Sequence, residues 1–281
     1  MINPFQFDFM WHAALTGSLI AGVCGVLSCF LVLRGWSLMG DAISHAVLPG
    51  IVGAYWLGIP LSLGAFVSGL FCAVASGFVK STTRVKEDTV MGVIFTGLFA
   101  IGLVMISKTP SDIHLDHILY GNILGLTRAQ IIESVALGSI VLLLAIAKRK
   151  DFLLLGFDGA HARVIGLSTR SSHFIMLTLL ALTIVTAMKA AGLILAVAMM
   201  VMPGATGRLL TKRLDAMLVT AAMSAVLAVW AGLAVAFYVD GAPGACIVLM
   251  QAAILFLAWF FSPTTSTSAA KTPSPHSVAM S

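Results

Sequence analysis

Asp41 and His45 are the residues of this chain best placed to do chemistry. They lie four apart in Gly40-Asp41-Ala42-Ile43-Ser44-His45-Ala46-Val47-Leu48-Pro49-Gly50, inside an otherwise apolar stretch. In a helix that spacing puts both side chains on one face. An ionisable group among apolar neighbours is costly in a membrane, so it usually faces a partner or a wet cavity. A carboxylate beside an imidazole suits a divalent first-row cation such as manganese, iron or zinc. Pro49 has no N–H for the carbonyl of residue 45, which frees an oxygen one turn from both side chains. Ion sites are often built at such interrupted helices. A buried Asp–His hydrogen bond that only orients neighbouring helices would use the same two residues.

Other candidates are weaker. Asp112, His114, Asp116 and His117 offer metal-ligand chemistry, but a solvated loop or a docking surface would carry the same residues. Met199, Met200 and Met202 precede Pro203. Thioethers match copper(I) better than manganese, so helix packing or a flexible gate lining is the expected role. Cys24, Cys29, Cys72 and Cys246 fall in apolar runs without a C-x-x-C pair and read as small core residues. No further pair of ionisable groups is expected within the apolar spans. No Gly-Lys dipeptide occurs, so there is no phosphate loop of the G-x-x-x-x-G-K-[ST] kind. There is no H-E-x-x-H, and Gly40-Asp41 lacks the second glycine of a G-x-G-D aspartyl protease motif. No catalytic residue is assigned.

The elements that must hold Asp41 and His45 follow from composition. Of 281 residues, 59% are hydrophobic and 10% charged, with a mean hydropathy of +1.05. A soluble domain carries about a quarter charged residues to solvate its surface. This chain has no such surface and belongs in lipid. Apolar stretches of roughly 20 residues, long enough to cross a bilayer, recur throughout. They are expected at 10–33, 36–57, 61–80, 89–107, 131–147, 172–188, 192–210, 215–239 and 243–261, giving an all-α bundle of eight or nine spans. No alternating strands occur, which excludes an outer-membrane barrel. Residues 1–9 contain no Lys or Arg, so the first span is not expected to be a cleaved signal.

With nine spans, thirteen of the sixteen basic residues fall on one side, and only Lys108, Arg128 and Lys189 on the other. The positive-inside rule assigns the rich side, with the C-terminus, to the cytoplasm. The net charge of +5 is thereby a matter of topology, not of an anionic partner, and nucleic acid is not expected. Residues 148–171 form a basic loop that reads as carrying a short helix. Asp158 can cap it, residues 160–165 can form its body, and Gly166 suits its end. Residues 1–261 are expected to form one membrane domain, and the Ser/Thr/Pro-rich 262–281 a disordered cytoplasmic tail.

From Arg34-Gly35-Trp36-Ser37-Leu38-Met39-Gly40-Asp41 through Pro49-Gly50, the chain resembles the metal-chelate permeases of ABC importers. The likeness continues through Arg84-Val85-Lys86-Glu87-Asp88-Thr89-Val90-Met91-Gly92 and His117-Ile118-Leu119-Tyr120-Gly121-Asn122-Ile123-Leu124-Gly125. It takes in Val201-Met202-Pro203-Gly204-Ala205-Thr206 and Asp240-Gly241-Ala242-Pro243-Gly244 as well. The resemblance implies a permease that pairs with a second permease chain and sits on two ATPase subunits. It also implies that metal arrives from an external solute-binding protein. It makes Asp41 and His45 the metal-handling pair. It makes 157–167 the helix that couples to the ATPase, through Asp158, Gly159, Ala160, His161, Ala162, Arg163, Ile165 and Gly166. Gly159 stands where the family often has proline.

The Asn122 loop is most similar to the manganese/iron branch of that family, with zinc the lesser expectation. The metal would be cargo, with no permanently bound cofactor, and the location the bacterial inner membrane. Two other classes remain open. A secondary metal carrier would use the same pair without an ATPase, and an intramembrane hydrolase would need a nucleophile that the sequence does not offer.

Overall fold

The computed structural model describes residues 6–109, 123–157 and 168–262, and within them every regular element is helical. The long helices are α1 (Asp8–Arg34), α2 (Met39–Leu57), α3 (Leu61–Thr82), α4 (Glu87–Ser107) and α5 (Arg128–Ala147). They are followed by a short α6 (Arg149–Phe157), then α7 (Thr169–Leu210), α8 (Leu214–Val239) and α9 (Pro243–Phe261). Leu, Ala and Met favour helix, and in lipid the backbone must satisfy its own polar groups. Local signals mark the ends. Gly35 closes α1 at φ 72°, Thr127 and Gln130 form a reciprocal cap on α5, and Pro243 opens α9.

Among the described residues, seven helices are long and apolar enough to cross a membrane. α2 packs along α3 and α4 and is counted as a further pass, although its polar pair lowers its hydropathy. α7 makes two passes. Its first arm starts beside the end of α1, where Arg34 lies 3.4 Å from His173. Lys189 reaches Glu133, one turn into α5 at the opposite end of the bundle. By Gly204 the chain is back beside Ser28 of α1. The reversal falls at Gly192 (φ 83°, ψ 171°), a backbone conformation open almost only to glycine. The described residues therefore make nine passes, the larger of the two expected counts.

Close crossings at small residues hold the bundle together, as expected where lipid removes the hydrophobic drive between helices. Gly25 of α1 lies against the backbone of Ala221 and Ala222 in α8. Gly50 of α2 and Gly64 of α3 meet so closely that a Cβ on either would collide with the other's carbonyl. Ser28 repairs the region of α7 that Pro203 interrupts. Its hydroxyl accepts from the Gly204 N–H at 2.9 Å and donates to the Val201 carbonyl at 3.1 Å. Met199 and Met200 are buried in this packing, which supports their reading as packing residues. All four cysteines are buried and unbridged, as read from the sequence.

Helix α6 differs from expectation. The sequence suggested a helix only within 157–167, yet the chain turns helical again at Arg149, directly after α5. Phe152 explains this: it is buried edge-on against Phe30 of α1. Arg149 pairs with Asp215 at 2.7 Å and fastens α6 to α8. Of the expected coupling residues, Asp158 through Gly166 lie outside the described residues, as do Asp112, His114, Asp116, His117 and the tail from 263.

Candidate metal site

The site begins with the turn between α1 and α2. Gly35 takes the left-handed conformation, and Trp36 folds back into the core with the Arg34 guanidinium 4.1 Å over its ring. α2 then starts at Met39, which places Asp41 in its first turn. A carboxylate is favoured there by the partial positive charge of the helix N-terminus. His45 follows one turn later, and its Nε2 lies 3.2 Å from Asp41 Oδ1. The two expected site residues are thus brought together.

The rest of α2 explains why these two face outward. Gly40, Ala42, Ile43, Ser44, Ala46 and Val47 are all buried on the other faces. Gly40 lets Met200 of α7 press against the backbone, and Gly69 of α3 accommodates Ile43. Ser68 of α3 donates to the Ala46 carbonyl at 2.6 Å, while Ser44 donates to the Gly40 carbonyl within α2. These contacts fix the rotation of α2. The Asp41 side chain keeps 35% of its exposure and that of His45 keeps 28%. Helix α4 forms the wall on that face. Phe95 stacks on the His45 ring (centroids 5.9 Å apart, planes 26°), and Phe99 meets it at 5.1 Å and 83°. Farther along α2, Leu48 packs where a Gly102 side chain would be.

Pro49 stays inside α2, which continues to Leu57, so the His45 carbonyl lacks the N–H of residue 49. Among the described residues, no cluster of three or more His, Cys, Asp or Glu side chains could hold an ion. The site therefore offers two side-chain ligands, one charged oxygen and one nitrogen. That donor set can take a divalent first-row cation but leaves an octahedral shell to be completed from elsewhere.

A second ion pair had no counterpart in the sequence reading. Lys189 reaches both Glu133 oxygens, at 2.8 and 2.9 Å, and borders cavities of about 280 and 200 Å³ at the end of the bundle away from Arg34. Fifty-six residues separate the partners, so helical spacing gives no sign of their meeting. The aromatic wall at His45 was missed for another reason: Phe95 and Phe99, four apart in an apolar helix, carry no polar signal.

Residues 6–262 match the ABC 3 transport family. The chain belongs to that family. The match takes in every helix described above and the whole Asp41–His45 face. Among curated relatives, the probable iron transport system membrane protein of Haemophilus influenzae is 51% identical over 93% of this chain and 97% of its own length. The chelated iron transport system membrane protein YfeD of Yersinia pestis is 51% identical, over 92% of this chain and 88% of its own. The manganese transport system membrane protein MntB of Synechocystis is 46% identical, over 94% and 86%. PsaBC from Streptococcus pneumoniae, solved in complex with Fab, superposes with a TM-score of 0.83 at 35% identity. That match covers 92% of this chain and 93% of the PsaBC chain.

Proposed function

We propose that this chain is the permease subunit of an ATP-driven importer that carries manganese(II) or iron(II) across the inner membrane. The observation that carries this is the Asp41–His45 pair, half-exposed on one face of a membrane helix in an ABC 3 family bundle. The relatives' names, iron and manganese transport system membrane proteins, favour those metals over zinc.

The cation sheds water onto Asp41 Oδ1 and His45 Nε2. To ligate through Nε2 the imidazole must be neutral with its one N–H on Nδ1. The two atoms already lie 3.2 Å apart, a separation at which both can touch one ion. Water or donors from a second permease chain complete the shell. Because the sequence has no phosphate loop, ATP is hydrolysed on separate ATPase subunits. By the family resemblance, Asp158, Gly159, Ala160, His161, Ala162, Arg163, Ile165 and Gly166 couple the chain to those subunits, and an external solute-binding protein delivers the metal. The basic-residue bias sets the C-terminus and the tail 262–281 in the cytoplasm.

The test is uptake of radiolabelled manganese and iron(II) by cells whose own metal importers are deleted. Asp41→Ala and His45→Ala are expected to abolish uptake while reaching the membrane at wild-type levels. Normal uptake by both variants at equal expression would reduce the pair to a structural contact.

A further inference from the structure

We infer that Phe95 and Phe99 of α4 are positioning residues for the metal ligand His45, fixing its ring so that Nε2 stays beside Asp41. This rests on the reading of Asp41 and His45 as the cation site. Neither phenylalanine is itself a ligand.

The torsion that turns an imidazole about its Cβ–Cγ bond has broad, roughly two-fold wells. A half-exposed histidine on a helix can therefore swing its Nε2 away and offer a carbon edge instead. At His45 two rings oppose that motion from different directions. Phe95 lies nearly parallel to the imidazole at 5.9 Å, which resists tilting out of plane. Phe99 stands nearly perpendicular at 5.1 Å, which resists rotation about the side-chain axis. Asp41 Oδ1, 3.2 Å from Nε2, closes the third direction.

The wall itself is held in place. Leu48 of α2 fills the space that the missing Gly102 side chain leaves, and Phe95 packs against the core. α4 thus cannot withdraw from His45 without opening that packing.

The placement has a consequence for transport. A site with only two side-chain ligands from this chain has little reserve, so an imidazole free to rotate loses affinity directly. The conformational cost of aiming Nε2 is met when the protein folds and not when the ion arrives. Outer-shell partners that orient a metal-ligating histidine are worth roughly ten- to a hundredfold in metal affinity when removed.

The experiment uses the complete importer in cells lacking other manganese uptake, measuring initial uptake rates against manganese concentration. The double variant Phe95→Leu/Phe99→Leu keeps apolar bulk and helix propensity but removes both rings. It is expected to raise KM roughly tenfold, at the low end of the outer-shell range, with the maximal rate and membrane level near wild type. Phe99→Tyr retains the ring and should keep KM within about twofold of wild type, since only a hydroxyl is added. An unchanged KM in the double leucine variant, with or without a fall in maximal rate, overturns the assignment. His45→Ala, run in parallel, separates the two claims. If it abolishes uptake while the leucine variant matches wild type, the pair is the cation site and the rings are ordinary packing. If it transports normally, the reading of the site itself fails.

Discussion

At the scale of single residues, the account turns on whether Asp41 supplies charge or only a hydrogen bond. The Asn side chain has almost the same shape, and its carbonyl oxygen can still accept from His45 Nε2–H at the present 3.2 Å contact. Asp41→Asn should therefore leave the fold and the α2 contacts intact while removing the anion. Manganese uptake is expected to fall about a hundredfold or more, the consequence of losing the charged ligand of a desolvated divalent ion. Wild-type uptake by Asp41→Asn at equal expression would show that the carboxylate is a tether. Asp41 and His45 were legible in the sequence because polar residues four apart in an apolar run leave few alternatives. The surroundings were not. Phe95 and Phe99 carry no polar signal, and the Glu133–Lys189 pair joins positions distant in sequence.

At the scale of elements, most of the bundle could be read from hydropathy, because each span must satisfy its own backbone within a fixed thickness. The Gly-bearing break near 192 was visible as a gap between two spans, and the structure gives its cause as a reversal at φ 83°. Alanine there would occupy a backbone region reserved for glycine, at a cost of order 1–3 kcal/mol. Gly192→Ala should lower the melting temperature of the detergent-solubilised protein. Gly22→Ala, with nothing within 4 Å of its new Cβ, should be neutral or slightly stabilising. Equal melting of the two variants would mean that the reversal tolerates a side chain. Helix α6 escaped the sequence reading because nine residues of mixed charge and hydrophobicity resemble a loop. What makes them helical is tertiary: Phe152 against Phe30, and Arg149 with Asp215.

For the whole molecule, nine passes put the described ends, Gln6 and Ser262, at opposite ends of the bundle, and the proposed orientation sets Ser262 toward the cytoplasm. The described native cysteines are all buried and should react little with polar maleimides, so a single introduced cysteine can report position. Ala160→Cys is expected to stay unlabelled in intact cells and to react after permeabilisation. Labelling without permeabilisation would invert the topology. The family could be recognised in the sequence because its motif surrounds the site. The proposed partners follow from the family resemblance, because composition singles out no surface for them. The central claim is that metal moves through this chain by way of Asp41 and His45 at the expense of ATP. Its most direct test is metal flux in proteoliposomes containing the chain, its permease partner and their ATPase, with and without ATP, for wild type and His45→Ala. The account predicts manganese accumulation only with ATP and only for the wild type. Equal accumulation without ATP, or by His45→Ala, would contradict it.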